Sequence, residues 1–213
     1  MIIKINSTKN FDDKIVKHAA DILSNEGVAI LPTSTIYGLS CIYSSKKALE
    51  RIYEIKKRKK GLPFIILISR LNTLKFLVEE KNKIAEKLIK YYWLSKNKTP
   101  LTLVFKKNKA LNNFATDKKG KIAVRLDSLP IIKKIINICG PIISTSATIS
   151  GTDRSPKNTD EISPEIKTSV DLIVDYGIDL DGIASTVLDV TESKPVIIRE
   201  GRLKLEEIIK KIN

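Results

Sequence analysis

Short apolar runs alternate with longer segments of helical periodicity along almost the whole chain. Residues 28–32 (VAILP) have the length and composition of a buried strand, and residues 11–25 carry apolar side chains at the spacing of one helix face. Strand-like runs also follow one another within residues 101–126 and 171–199. The alternation predicts an α/β fold, and the successive runs predict antiparallel pairs within a mixed parallel and antiparallel sheet with helices packed around it.

The individual elements follow from the same patterns. We expect strands at 2–5, 28–32, 63–69, 101–105 and 121–126, a strand that runs into a small-residue turn within 141–151, and three more between 171 and 199. We expect helices at 11–25 (with Asn10 as candidate N-cap), 45–56, 128–138, 161–167 and 204–212, and two helical segments within 71–93.

Length and composition narrow the class of protein. A chain of 213 residues suits one domain, residues 1–213, that buries about 70 to 75% of its unfolded surface. No apolar stretch approaches the ~18 residues of a membrane span, and the first residues lack the pattern of a secretory leader. The two cysteines lie far apart without metal-ligand spacing. We therefore expect a cytoplasmic protein with no membrane partner and no protein-held metal.

The net charge of +14 raises the question of nucleic acid binding. Only 7 of the 38 cationic residues are arginines, and the lysines are spread over the whole chain rather than gathered in a patch. Where lysine is the common cation, an arginine is a candidate for a site that needs a planar, two-pronged donor. Arg58, Arg125 and Arg199 lie in or beside the loops considered next.

Common catalytic signatures are missing. The chain has no P-loop, dinucleotide-binding, nucleophile-elbow or zinc-protease motif, and its one histidine, His18, lies in a helical segment. What remains are small, hydroxyl-rich or cationic loops at strand ends, where α/β sheets bind ligands. These loops are 32–35 (PTST), 56–60 (KKRKK), 123–125 (AVR), 144–151 (STSATISG), 185–187 (STV) and 197–201 (IIREG).

Taken together and in this order, LPTSTIYGLS, IKKRKKGLPFIIL, TPLTLVF, IAVRL, STSATISG and STVLDV...IIREG resemble the Sua5/YrdC family of threonylcarbamoyl-adenylate synthases over about residues 10–202. The resemblance implies a twisted sheet around a large central cavity, in the short, single-domain form. It implies a nucleotidyltransferase that makes threonylcarbamoyl-AMP and pyrophosphate from L-threonine, bicarbonate or CO2, and ATP with Mg2+. The product would pass to a tRNA threonylcarbamoyltransferase that forms N6-threonylcarbamoyladenosine at tRNA position 37.

The resemblance also implies a set of ligands. Thr35, Arg125, Ser146 and Ser185 would bind L-threonine. Lys56, Arg58, Lys121, Thr148 and Arg199 would bind ATP, with Lys56 and Arg58 as catalytic residues. A carbamate formed from the threonine amine and CO2 is already anionic, so its attack on the α-phosphorus needs positioning and charge neutralisation rather than a general base.

The chain departs from the family pattern at several of these positions. Ser34 stands where many members have an acid, Lys59 where proline is usual, Leu62 and Leu67 where some carry Asn and His, Lys121 where Thr is common, Thr148 where Asn is usual, and Ala184 where an acid often precedes STV. Two alternatives therefore stay open: a related carbamoyl-adenylate-forming enzyme with another acceptor, and a tRNA or double-stranded-RNA-binding protein of the same fold. The role of Ser34 stays undetermined, and residues 56–61 and 152–160 are candidates to close the cavity.

Overall fold

The computed structural model describes residues 1–5, 11–59, 63–95, 99–111, 116–151 and 154–212. Within these ranges the strands are β1 (Ile2–Lys4), β2 (Ala29–Pro32), β3 (Tyr37–Ile42), β4 (Ile65–Ile68), β5 (Leu101–Lys106), β6 (Lys121–Leu126), β7 (Ile142–Ser146), β8 (Leu172–Asp175), β9 (Thr186–Asp189) and β10 (Val196–Arg199). The α-helices are α1 (Asp13–Ser24), α2 (Lys46–Ile55), α3 (Leu74–Leu77), α4 (Lys83–Leu88), α5 (Pro130–Cys139), α6 (Pro164–Thr168) and α7 (Leu205–Ile212). A 3-10 turn (Leu71–Thr73) leads into α3, and a π-helical turn (Ile89–Trp93) continues α4.

All ten strands join in one sheet, in the order β1-β8-β2-β3-β7-β4-β6-β5-β9-β10. Four neighbouring pairs are parallel (β1/β8, β2/β8, β4/β6 and β5/β9), and the other five are antiparallel. The predicted mixed sheet is therefore confirmed. The strands expected within 171–199 divide, because β8 lies near one edge of the sheet whereas β9 and β10 form an antiparallel pair at the other.

Two apolar clusters lie on opposite faces of β4. Leu67 belongs to the first cluster, with the apolar faces of α1, α2 and α5, whereas Ile66 and Ile68 belong to the second, with α3, α4 and α7. Neighbouring side chains on a strand point to opposite faces, so one strand contributes to both clusters. Burying apolar side chains on both sides of the sheet is the main favourable contribution to folding.

Strands β6, β5 and β9 pack one face against the second cluster, and their opposite face, together with the neighbouring part of β4, is called the open face here. On that open face Val104, Ala123 and Val187 form a small apolar group together with the partly buried Ile65. Arg125 and Thr102 lie on the same face, since they alternate with residues of the second cluster such as Val124 and Leu103. This open face is the floor of the cavity described below.

Local signals explain most element boundaries. The Asp12 side chain accepts the Lys14 N–H and caps α1, and the candidate cap Asn10 lies outside the described residues. Ser45 caps α2 in the same way by accepting the Ala48 N–H at 3.0 Å. β3, which the sequence patterns did not predict, is buried along its whole length between β2 and β7. In the part of the chain that the structure describes, every helix is too short or too polar to cross a membrane.

Candidate active site

The turn between β2 and β3, residues 33–36, contains the hydroxyls of the PTST motif. The Thr33 hydroxyl donates to the Ile36 carbonyl at 2.8 Å and accepts the Thr35 and Ile36 N–H groups at 3.3 Å. It also shares a hydrogen bond of 3.0 Å with the Thr35 hydroxyl. Thr33 therefore fixes the turn, whereas Thr35 meets a side chain from another strand.

A cavity of about 410 Å³ opens between this turn and the open face of the sheet. Its volume falls within the usual range for small-molecule sites. Its apolar wall includes Ile36, Phe64, Ile65 and Leu67. Its polar lining comprises Thr33, Thr35, Ser144, Thr145, Ser146, Ser155 and Ser185, together with the guanidinium groups of Arg58, Arg125 and Arg199.

Arg58 enters this cavity because of the way α2 ends. Lys57 has a positive φ of 50°, and the N–H groups of Lys57 and Arg58 donate to the Glu54 and Tyr53 carbonyls at 2.9 and 3.0 Å. This is the Schellman pattern, with lysine in place of the usual glycine. The reversal turns Arg58 over the Phe64 ring, with 4.7 Å from the guanidinium carbon to the ring centroid.

The same helix end buries Lys56 behind the cavity wall. Its side chain is 1% exposed, and Nζ donates to the Thr148 and Ser146 carbonyls at 2.5 and 2.6 Å. Burial and, to a smaller extent, the neighbouring Arg58 guanidinium lower the pKa of Lys56 to about 8. Its ammonium group holds the residue 146–148 turn in place and is not among the groups that line the cavity.

Arg125 lies at the end of β6 and is 4% exposed. Nη1 donates to the Thr35 hydroxyl at 3.0 Å, and Nη2 donates to the Asp127 carboxylate at 2.8 Å. Its Nε atom is buried without a hydrogen-bond partner. The sequence therefore places a charged, incompletely satisfied donor group on the cavity floor, next to the turn that contains Thr35.

Arg199 approaches from β10 on the opposite side. Nη2 donates to the Ser185 carbonyl at 2.8 Å, while the Ser185 and Thr102 hydroxyls share a hydrogen bond of 2.7 Å. Burial lowers the pKa of Arg199 below its ordinary value, and the nearby positive charges of Arg125 and Arg58 lower it further. The Arg199 guanidinium thus lies close enough to Arg125 and Arg58 to be repelled by both.

The protein balances the charge of the cavity only in part. No carboxylate is among the described residues that line it, and the one carboxylate paired with a lining arginine in the described residues is that of Asp127, which lies behind Arg125. The buried Nε atoms of Arg58 and Arg125 lack partners in the described part of the molecule. Because a buried donor without an acceptor costs about 1–3 kcal/mol, or more when charged, such groups indicate a site for an anionic ligand.

The structure brings together six residues of the predicted ligand set and separates three from them. Thr35, Arg58, Arg125, Ser146, Ser185 and Arg199 all line the cavity. Lys56 and Thr148 lie behind Ser146, whose hydroxyl shares a hydrogen bond of 2.9 Å with the Thr148 hydroxyl. Lys121 donates instead to Asp189 and Thr191, at 2.7 and 2.8 Å, outside the cavity lining.

The positions that depart from the family pattern also differ in placement. Leu67 and Ala184 line the cavity, and Lys59 is exposed on the surface. Leu62 lies outside the described residues. At Leu67 the cavity therefore presents an apolar side chain without a hydrogen-bonding group.

Asp127 is the residue that the sequence patterns did not single out. It is 1% exposed and joins Arg125 to Ser34, whose hydroxyl donates to Oδ2 at 3.0 Å. The only local signal is an acid two positions after an arginine at a strand end. That spacing does not indicate a partner 93 residues earlier in the chain.

Several known proteins are similar to this chain in sequence or fold. Threonylcarbamoyl-AMP synthase of Pyrococcus abyssi is 34% identical over 213 residues, which is all of this chain and 61% of the relative. A crystal structure of P. abyssi Sua5 complexed with L-threonine superposes with a TM-score of 0.90 at 33% identity, covering 100% of this chain and 61% of that one. The uncharacterized protein YciO of Escherichia coli is 30% identical over 199 residues, covering 90% of this chain and 91% of YciO.

This chain thus spans about three-fifths of the length of the P. abyssi enzyme and nearly all of YciO. A family model described as "Telomere recombination" and named for Sua5, YciO and YrdC matches residues 21–201. The fold, the cavity and these matches agree, and the chain belongs to the Sua5/YciO/YrdC family.

Proposed function

We propose that this protein is an L-threonylcarbamoyladenylate synthase, a nucleotidyltransferase that joins L-threonine, CO2 or bicarbonate, and ATP into threonylcarbamoyl-AMP with release of pyrophosphate. The observation that carries the proposal is the cavity with three guanidinium groups, two unpartnered buried Nε atoms and no lining carboxylate among the described residues. Such a cavity suits substrates that are anionic at more than one point. Threonine contributes a carboxylate and a carbamate, and ATP contributes its phosphates.

One guanidinium would bind the amino acid. Arg125 lies beside Thr35 on the cavity floor and has a free Nε donor, so it would bind the threonine carboxylate. The Ser146 and Ser185 hydroxyls line the same cavity and would complete the threonine site. A P. abyssi relative with a TM-score of 0.90 was solved with L-threonine, which supports this substrate.

The other two guanidiniums would neutralise the phosphates. The carbamate oxygen attacks the α-phosphorus, a new P–O bond forms, and the bond to the pyrophosphate oxygen breaks. Arg58 and Arg199 would stabilise the charge that moves onto the leaving pyrophosphate. Lys56 would act indirectly by holding the residue 146–148 turn, while Thr148 and Lys121 lie outside the cavity lining and would reach ATP only through a rearrangement.

Mg2+ would enter with ATP as part of the substrate. The described residues contain no group of three or more His, Cys, Asp or Glu side chains that could hold a metal ion. The cavity offers hydroxyls and cations, so the phosphate oxygens themselves would supply the anionic ligands that Mg2+ requires. The proposal places the reaction in the cytoplasm, where the labile product would pass to a tRNA threonylcarbamoyltransferase.

One observation favours a second candidate, a carbamoyl-adenylate-forming enzyme with another acceptor. Leu67 adjoins the cavity from the buried core and has no group that could bind a substrate hydroxyl. YciO, which matches this chain over nearly its full length, is also a member of the family. An acceptor with an apolar side chain would suit this wall better than one with a hydroxyl.

The test is pyrophosphate release from ATP and Mg2+, with threonine and bicarbonate omitted singly and together, and with the product mass measured. We expect release only when both are present, together with the mass of threonylcarbamoyl-AMP. Release that ignores threonine would refute the synthase. Faster release with valine or leucine than with threonine would instead support the second candidate.

Direct RNA binding is tested in the same preparation. A binding module that uses the +14 charge would bind tRNA or double-stranded RNA with an affinity that falls steeply with salt. Strong, salt-sensitive RNA binding without pyrophosphate release would favour that reading over the synthase. Pyrophosphate release that is independent of added RNA would support the enzyme.

A further inference from the structure

The Asp127 carboxylate accepts hydrogen bonds from three different residues. Oδ2 accepts from Arg125 Nη2 at 2.8 Å and from the Ser34 hydroxyl at 3.0 Å. Oδ1 accepts from the Leu129 N–H at 2.9 Å and from the Ser34 N–H at 3.2 Å. A carboxylate offers about four lone-pair positions, so these contacts use nearly all of its capacity.

The backbone around Asp127 is itself held on two sides. The Asp127 N–H donates to the Ile68 carbonyl at 3.0 Å, at the end of β4 in the middle of the sheet. Leu129, whose N–H reaches the carboxylate, is the N-cap residue of α5. Asp127 is therefore a fixed anchor, with its carboxylate placed by a strand and by the start of a helix.

This anchor determines the orientation of Arg125. Asp127 holds Nη2 and the Thr35 hydroxyl holds Nη1, so the plane of the guanidinium is fixed at two points while Nε stays free of partners. An arginine that is already ordered loses less side-chain freedom when it binds an anion. A buried guanidinium also needs a paired charge to remain ionised without a large cost.

Ser34 connects the same anchor to the PTST turn. Both its N–H and its hydroxyl reach Asp127, and the next residue, Thr35, accepts from Arg125. The Asp127 carboxylate therefore binds both the PTST turn and Arg125. Without it, neither the turn nor the guanidinium would be held in its present position.

We propose that Asp127 is a positioning residue for amino-acid recognition, acting through Arg125 and, by way of Ser34, through the PTST turn. The inference rests on the proposed function, because it assumes that Arg125 binds the acceptor carboxylate. Asp127 does not line the cavity. Its effect belongs to the affinity for the amino acid and not to the affinity for ATP.

Asp127→Asn tests this with little change in shape. We expect the KM for threonine to rise about 10- to 100-fold, the range for misplacing a recognition group, with the KM for ATP unchanged. Partial unfolding would lower the apparent kcat and leave both KM values as they were. Asp171→Asn is the matched control, because Asp171 also pairs with an arginine and accepts a backbone N–H but lies outside the cavity.

A rescue variant separates charge from shape. The Ser34 hydroxyl lies 3.0 Å from Asp127 Oδ2, so a carboxylate at position 34 could reach the same guanidinium. We expect Ser34→Asp combined with Asp127→Asn to recover at least several-fold of the lost threonine affinity. An unchanged threonine KM in Asp127→Asn, or a loss seen only in kcat, would overturn the proposal.

A measurement without turnover keeps the two proposals separate. The Nη groups of Arg125 can be followed by 15N NMR, with Arg125→Lys used to assign their signals. Two separate, slowly exchanging signals indicate that both Nη1 and Nη2 are held by hydrogen bonds. We expect them in the wild type, their loss in Asp127→Asn and their return in the double variant. Signals that persist in Asp127→Asn would refute the positioning role, whether or not the wild type releases pyrophosphate with threonine.

Discussion

Two concave regions of this protein differ in the charge of the side chains that line them. The outer groove lies between α1 and α2 and has a volume of about 760 Å³, against about 410 Å³ for the cavity. Its charged lining consists of Asp21, Glu26, Glu50, Glu54 and Asp171 with Lys47 and Arg51. Carboxylates are in excess there, whereas the cavity lining has three arginines and no carboxylate among the described residues.

The arginines of the two regions also differ in whether their donor groups have hydrogen-bond partners. In the outer groove Arg51 donates to both oxygens of Asp171, at 2.5 and 3.0 Å, and to the Ser169 carbonyl. Burial raises the pKa of Asp171, but the hydrogen bonds from Arg51 and from the Val28 N–H more than offset this, and the pKa lies below its ordinary value. In the cavity Arg58 and Arg125 keep buried donors without partners. Unsatisfied charge, rather than volume, distinguishes a ligand site from a surface groove.

The largest expected effect comes from removing the arginine on the cavity floor. Arg125→Ala should weaken threonine binding by about 2 to 5 kcal/mol, because it removes one partner of a desolvated charge pair. Arg51→Ala, the matched change in the outer groove, should leave threonine affinity unchanged. Isothermal titration of both variants measures the difference. Equal affinities would show that Arg125 is misassigned and that the comparison of the two regions is wrong.

A smaller effect is expected at the phosphate side. Arg199→Ala and Arg58→Ala should each weaken ATP binding by about 1.5 to 3 kcal/mol, the usual contribution of a hydrogen bond to a charged group. Threonine affinity should change less than ATP affinity in both. Competition between pyrophosphate and ATP, measured in the two variants and in Arg51→Ala, checks this. If Arg51→Ala lowers ATP affinity as much as the other two, the anion site is not confined to the cavity.

The smallest effect is the change in the pKa of Lys56 when Arg58 is replaced. The Lys56 pKa of about 8 should appear in the 13C signal of its Cε atom, assigned by comparison with Lys56→Met. Because Arg58 contributes to this lowering, Arg58→Gln should raise the pKa, whereas Arg51→Gln should leave it unchanged. A Lys56 that titrates near 10.5 would contradict the assignment of a buried cation beside a second positive charge.

The sign of the linked stability change follows from the same pKa. Below pH 8 the folded and unfolded chains both hold the Lys56 proton. Between about pH 8 and 10.5 the unfolded chain keeps the proton that the folded chain has released. The contribution of Lys56 to the free energy of unfolding therefore increases as the pH rises through this window. Urea unfolding at several pH values, with Lys56→Met as reference, measures it.

Strand β3, which the sequence patterns did not predict, depends on contacts with residues far away in the sequence. β3 reads YGLSCI, with a glycine and a serine where a buried central strand usually has large apolar residues. Ser40 is fully buried because its hydroxyl bonds to the Ser144 hydroxyl at 3.2 Å. A Cβ at Gly38 would lie 2.2 Å from Ser144 Oγ, so a larger residue there would displace the Ser144 hydroxyl that Ser40 contacts. Both features depend on β7, about a hundred residues later in the chain.

The candidate residues of the cavity also divide into those that the local sequence predicts and those that only the tertiary structure places. The hydroxyl-rich loops and the three arginines could be predicted as site candidates, since Arg125 and Arg199 lie at strand ends and Arg58 lies in a basic turn after a helix, and these patterns are local. Lys56 could not be placed correctly from its sequence. The KKRKK segment predicts a cation that binds the ligand, whereas in the fold Nζ donates to the Ser146 and Thr148 carbonyls. The same is true of Lys121, whose ammonium group donates to Asp189 on another strand and not into the cavity.

The sequence by itself determined the α/β class, most of the elements and the position of the PTST hydroxyls at the end of a strand, because strand and helix periodicity and turn chemistry act over a few residues. Only the tertiary structure decided which cations face the cavity, and that Ser34 and Arg125 share the Asp127 carboxylate. Strand order brings residues 34 and 127 together, and no pattern within either segment encodes that order.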